Sequence, residues 1–240
     1  MLTRLTPRLV PKVWGSTHLQ PWYANAAQKI GEVWFESDPR PPLLVKFLFT
    51  TENLSVQVHP EGKTEMWHIL AAEPGAKIAA GFREPITEQR LRDSALSGEI
   101  EELLEWFEAR PGDTFFIPAG TVHAIGAGLT LCEIQQHSDT TYRLFDYGRP
   151  RELHLDQGMR VSKLGPHPAR QSAREGVLVS CPFFTTEKLR VGGETRLSGA
   201  QMVIVLEGNL TIGGQKARAG EAWYGDPIEM TGHATVLLTS

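Results

Sequence analysis

The chain has 240 residues, enough for one large β domain or two small ones, each with a substantial core. Its 24 basic and 28 acidic residues give a net charge of -4, which leaves no electrostatic footprint for nucleic acid or an anionic membrane. MLTRLTPRLVPK has no signal-like apolar run, no later run nears the ~18 apolar residues of a membrane span, and Cys132 and Cys181 read as reduced, so a soluble cytoplasmic protein is expected.

Residues 1–53 are rich in proline and tryptophan, with β-prone runs around Lys12 to Trp14, Glu32 to Phe35 and Leu43 to Phe49. Strands are expected from Leu54 to Ala80, the first of them sending Leu54, Val56 and Val58 to one face and Ser55, Gln57 and His59 to the other. The period then changes. Ile100, Leu103, Leu104 and Phe107 fall at i, i+3, i+4 and i+7, which predicts an amphipathic helix ending before Pro111, with a shorter helical piece starting at Thr87 as N-cap. Strands resume from Gly112 to about Arg160. Prolines 166, 168 and 182 mark a linker into a second β unit with runs at Phe183 to Val191, Met202 to Glu207, Asn209 to Ile212, Glu221 to Tyr224 and Thr235 to Leu238. The expected division is 1–163, with a helical segment at about 86–110, and 164–240.

Chemistry concentrates in LSVQVHPEGKTEMWHIL, Leu54 to Leu70. Gln57 and His59 point the same way, and the turn made by Pro60 and Gly62 brings Glu65 back beside them. Further on, GDTFFIPAGTVHA ends a strand at Pro118 and Gly120 and delivers His123. Mixed nitrogen and oxygen donors of this kind suit zinc or a neighbouring divalent transition metal. Lys63 shares a side with Glu65, and an ammonium beside a cation is unfavourable unless an anionic substrate lies between them. Glu133 sits in an apolar strand, where a carboxylate is costly unless used or paired. His18, His68, His137, His154, His167 and His233 lack such partners, and the second unit, without a matching ligand set, reads as structural.

The two pieces resemble the cupin metal signature. Gly112, Pro118, Gly120 and His123 match its second half, whereas its first half opens on a glutamine in place of the commoner histidine. Gln-x-His followed by Lys-x-Glu is similar to the type I mannose-6-phosphate isomerases. So are VWGSTHL (13–19), GEVWFES (31–37), LLVKFLFTTENLSVQVHP (43–60), GKTEMW (62–67), PGDTFFIPAGTVHAIGAG (111–128) and CEIQQHSDTTYRLFDYGR (132–149). The resemblance implies a mainly β fold of two tandem cupin (jelly-roll) barrels, with a short helical segment inserted in the first. It implies one zinc held by Gln57, His59, Glu65 and His123. Catalytic residues would be Glu133, Arg143 and Lys63, with Glu133 ahead of Lys63 as proton carrier, and Ser55, Lys46 and Arg149 would bind a sugar phosphate. The expected reaction is interconversion of mannose 6-phosphate and fructose 6-phosphate through an enediolate. A different sugar phosphate, or sugar-phosphate binding without turnover, stays open, as do the oligomeric state and the native metal.

Overall fold

A computed structural model describes residues 2–199 and 201–240. The first unit is built from two antiparallel sheets. One has seven strands in the order Arg170–Gln171, Thr114–Ile117, Glu65–Ala72, Leu129–Gln136, Leu43–Phe49, Ile30–Glu36 and Thr6–Ser16. The other has five, in the order Tyr142–Phe145, Val56–Val58, His123–Ile125, Lys77–Phe82 and Leu104–Glu108.

The period of two sorts side chains into layers. In the seven-stranded sheet Leu48, Trp67, Ile69, Leu129 and Leu131 join a core between the two sheets, with Ile78, Ala80 and Ile125 from the five-stranded side. The alternate residues, Val45, Phe47, Met66, Cys132 and Ile134, face outward into a second core shared with Met202, Ile204 and Leu237 of the C-terminal unit. Leu43–Phe49 is buried at every position, so its one charged residue, Lys46, points inward among the site residues rather than to solvent.

The C-terminal unit is a single seven-stranded sheet. Its long strands Thr185–Leu197, Gln201–Ile212 and Ile228–Thr239 pair antiparallel and close over Val203, Val205, Trp223 and Val236. The strand Thr3–Arg4 also belongs to this sheet, with Thr3 opposite Tyr224 and Arg4 opposite Trp223. In the other direction, Arg170–Gln171 pairs with Thr114–Ile117 of the first unit.

The helical expectations need correction. Thr87 does cap a helix, Glu88–Ser97, its Oγ1 accepting from the Arg90 amide at 3.1 Å, and Gly98 ends it at φ 89°. The second helix stops after Ile100–Leu103, and Leu104–Glu108 is a strand beside Lys77–Phe82. The i, i+3, i+4 spacing was ambiguous there: Leu104 and Trp106 pack with the helical layer, while Phe107 turns to the inter-sheet core, an alternation that serves a strand. A third helix, Leu155–Val161, stands where strands were expected. It lies against Tyr142–Phe145, with Gly158 so close to Leu144 that a Cβ there would come within 2.6 Å of Leu144 Cδ2. Among the described residues no helix is long and apolar enough to cross a membrane.

Candidate metal centre

Three strand ends bring the signature residues together. Gln57 is the middle residue of Val56–Val58, registered between His123 on one side and Arg143 on the other. Glu65 begins its strand in the facing sheet, with Gln135 and Ile117 as neighbours. His59 follows Val58, and its carbonyl accepts the Gly120 amide at 2.8 Å, so the turn before His123 is clipped to the turn after His59. One expectation fails: Leu54 precedes the strand and packs in the inter-sheet core with Leu48 and Ile125, whereas Val56 and Val58 face the helices.

His59, Glu65 and His123 are all buried, with donor atoms within 4.8 Å of one another. Each imidazole is oriented from behind. His123 Nδ1 donates to the Thr121 carbonyl at 2.8 Å and His59 Nδ1 to the Thr140 carbonyl at 3.0 Å, which leaves both Nε2 lone pairs turned inward. These nitrogens stand 3.6 Å and 3.4 Å from the Glu65 carboxylate oxygens, and neither can donate. Glu65 Oε2 is therefore buried without a hydrogen-bond partner. Burial raises the Glu65 pKa, but neighbouring positive charge, Lys63 included, outweighs it and holds the group well below the usual carboxylate range. Burial lowers His123 to about 3, so it is a neutral donor at physiological pH. Two imidazole nitrogens and an orphaned carboxylate oxygen form a donor set that can hold a divalent metal ion. Gln57 directs its Nε2 toward His123 Nε2 at 3.3 Å, while its Oε1 accepts from Ser55 Oγ at 3.2 Å.

Of the triad, His59 lines a cavity of about 370 Å³ whose wall also includes Ser55, Gln57, Lys63, Lys46, Glu133 and Arg143. Lys63 Nζ donates to Thr141 Oγ1 at 3.2 Å and lies 3.4 Å from His59 Nδ1. Burial brings its pKa below the ordinary lysine value, with Lys46 adding to the effect against Glu65 and Glu133. Lys46 donates to Glu133 Oε1 at 2.9 Å and to Gln135 Oε1 at 2.6 Å. Burial alone would lower Lys46, yet Glu133 and Glu32 raise it above its usual value. The other Glu133 oxygen accepts from Trp67 Nε1 at 3.0 Å, and the Trp67 ring meets His123 edge-on at 5.4 Å.

Seven of the ten sequence-derived site residues thus line one cavity, and Glu65 and His123 lie buried behind it against His59. Arg149 does not line the cavity; it donates to the Asn53 carbonyl at 2.7 Å and pairs with Asp146 at 2.9 Å. Arg151 stands in the wall instead, held on Asp146 by two bonds of 2.6 Å. Lys12, Trp14, Glu32, Trp34, Asp139, Thr141 and His154 also line the cavity without having been singled out. For Glu32 and Trp34 a signal existed: in IGEVWFE they alternate with Val33 and Phe35, which marks one polar face of a strand. His154 Nδ1 accepts the Arg143 amide at 3.3 Å and takes no part in the triad.

Fold and site together define a cupin with a candidate metal centre in its first barrel. No family model matches the chain. It is 38% identical over 202 residues to a mannose-6-phosphate isomerase of Streptococcus mutans, covering 72% of this chain and 63% of that protein. To the mannose-6-phosphate isomerase ManA of Bacillus subtilis it is 36% identical over 196 residues, covering 70% and 62%. The chain thus spans a little under two thirds of the length of these curated relatives. The crystal structure of a mannose 6-phosphate isomerase from Bacillus subtilis superposes with a TM-score of 0.84 at 26% identity, over 99% of this chain and 98% of that one. A phosphomannose isomerase from Salmonella typhimurium shares the fold with a TM-score of 0.80 at 16% identity, over 100% and 99%. By sequence and fold the chain is similar to mannose-6-phosphate isomerases, in keeping with the cupin fold and the candidate metal site.

Proposed function

We propose that this chain is a zinc-dependent isomerase that interconverts mannose 6-phosphate and fructose 6-phosphate through an enediolate. The observation that carries the reading is Glu65 Oε2, a buried charged oxygen with no partner, flanked by two imidazole lone pairs, one of them on His59 in the wall of a polar cavity. Zinc suits two nitrogens and a carboxylate, and Gln57 becomes a fourth donor once its amide presents Oε1. When bound, the ion supplies polarisation of the sugar's carbonyl and hydroxyl oxygens.

The remaining roles fall to the protein. Glu133 carries the proton between carbons 2 and 1, its carboxylate held in one orientation by Lys46 and Trp67 while each oxygen keeps a further lone pair. Lys63 is the second candidate for that transfer. Arg143, across from Gln57 in the same sheet, steadies negative charge as it develops. Ser55, from the resemblance, and Arg151, from its place in the wall, bind hydroxyl and phosphate groups, while Arg149, outside the wall, keeps that role on the resemblance alone. Residues 1–163 carry the site, and 164–240 cover the outer face of the sheet that bears Glu65, Lys46 and Glu133.

The test is turnover of mannose 6-phosphate by the purified chain before and after chelation, with zinc added back. Activity that falls on chelation and returns with zinc supports the reading. Folded, zinc-loaded protein without turnover would sink it, and a panel of other sugar phosphates, then ligand binding, would decide what replaces it.

A further inference from the structure

Along one row of the seven-stranded sheet, Trp34 is registered opposite Lys46, Lys46 opposite Glu133, and Glu133 opposite Trp67. Two of the three Lys46 N–H groups go to Glu133 and Gln135. The third side of this ammonium is covered by the Trp34 ring, whose centroid lies 4.8 Å from Nζ. A protonated lysine in that arrangement has no free donor for a ligand. Its available action on a bound sugar is through the Glu133 carboxylate.

Trp34 is itself fixed. Its Nε1 donates to Glu32 Oε2 at 2.7 Å, and the same oxygen pairs with Lys12 at 3.3 Å. The ring cannot swing into the cavity without breaking that bond. The half-buried indole thus faces a desolvated ammonium, the setting in which a cation–π contact is strongest.

We propose that Trp34, anchored by Glu32, is a positioning residue that fixes the Lys46–Glu133 pair in its working orientation. The proposal rests on the isomerase reading for its kinetic consequence but not for its structural one. Loss of the ring frees Lys46 to rotate away from Glu133, so the proton-carrying carboxylate loses its orientation while the metal triad and the far wall stay intact.

The experiment compares Trp34→Phe with Trp34→Leu in the zinc-loaded full chain. Phenylalanine keeps an aromatic face, and leucine keeps apolar bulk alone. The expected result is a kcat lowered about tenfold or more in Trp34→Leu, with KM within about twofold, and most of the loss recovered in Trp34→Phe. Zinc content stays at the wild-type level in both. Equal losses in the two variants would overturn the proposal in favour of plain packing, and a loss confined to KM would make Trp34 a sugar-contacting wall. A substrate-free readout separates this outcome from failure of the isomerase reading. The Lys46 ammonium should give a slowly exchanging 15N resonance in the wild type and in Trp34→Phe that is absent from Trp34→Leu, and its persistence in Trp34→Leu would sink the idea whatever the enzyme turns over.

Discussion

Glu65 and His59 face one another across 3.4 Å, a carboxylate oxygen against an imidazole nitrogen whose proton lies on the far side of the ring. Neither atom can satisfy the other, and a cation between them satisfies both. Glu65→Gln keeps the shape and removes the charge. We expect zinc to raise the melting temperature of the wild type and to leave Glu65→Gln unmoved, with zinc per chain falling to background by elemental analysis. An undiminished zinc content in the variant would remove Glu65 from the ligand set.

Lys46 and Glu133 are buried together at 2.9 Å, so each is the other's compensation. Lys46→Met leaves a buried carboxylate with its cation gone, a change that typically costs about 3–5 kcal/mol. Adding Glu133→Gln removes the stranded charge. In urea titrations the double variant should regain most of that stability while turnover stays lost. Additive losses would mean that the two groups do not act as a pair.

His68 is buried outside the metal site and bonded to Thr114 Oγ1 at 3.0 Å, with its pKa lowered to about 3, mainly by burial. The folded state resists its protonation, while the unfolded chain takes up a proton below an ordinary histidine pKa of about 6.5. Its contribution to stability is therefore greatest above that value and falls as pH drops toward 3, by about 1.4 kcal/mol per pH unit. Between pH 7 and pH 5, His68→Gln should lose about 2 kcal/mol less than the wild type. Parallel acid profiles would show that His68 does not govern this window.

Gly120 sits at φ 84°, where a side chain is strained, and a Cβ there would come within 2.8 Å of the Val161 carbonyl oxygen. Its amide is also the clip onto the His59 carbonyl. Gly120→Ala should destabilise the fold by about 1–3 kcal/mol and weaken zinc affinity about tenfold or more, because both histidines move with that turn. Calorimetric zinc titration reads the second effect, and wild-type affinity in a destabilised variant would show that the clip does not set ligand geometry.

Much of the site was legible because its ligands lie in short, turn-bounded stretches. Gln57, His59 and Glu65 fall within nine residues, and Pro118 and Gly120 announce the arrival of His123. Lys46 and Glu133 needed cross-strand register to become a pair, which a single strand's sequence does not carry. Glu32 and Trp34 were visible as one face of a strand, but not as residues two strands away from Glu133. The helix boundary failed at Leu104 because both periods fit a four-residue apolar pattern, and pairing with Lys77–Phe82 decided between them. The helix Leu155–Val161 was masked by Gly158, a poor helix former that is there to let the backbone approach Leu144.

The strand Thr3–Arg4 lies in the C-terminal sheet, with Arg4 Nη2 on Glu221 Oε1 at 2.6 Å. That stitch joins segments separated by almost the whole chain. During synthesis the first barrel can gather its own strands, but the earliest residues wait for the latest before they find their neighbours. Ring closure of this length makes for slow final docking and high contact order. Until it occurs, the apolar outer face that includes Val45, Phe47 and Met66 is uncovered. The chain's exposure to aggregation is therefore concentrated in the interval between translation of the metal-site barrel and arrival of the final strand.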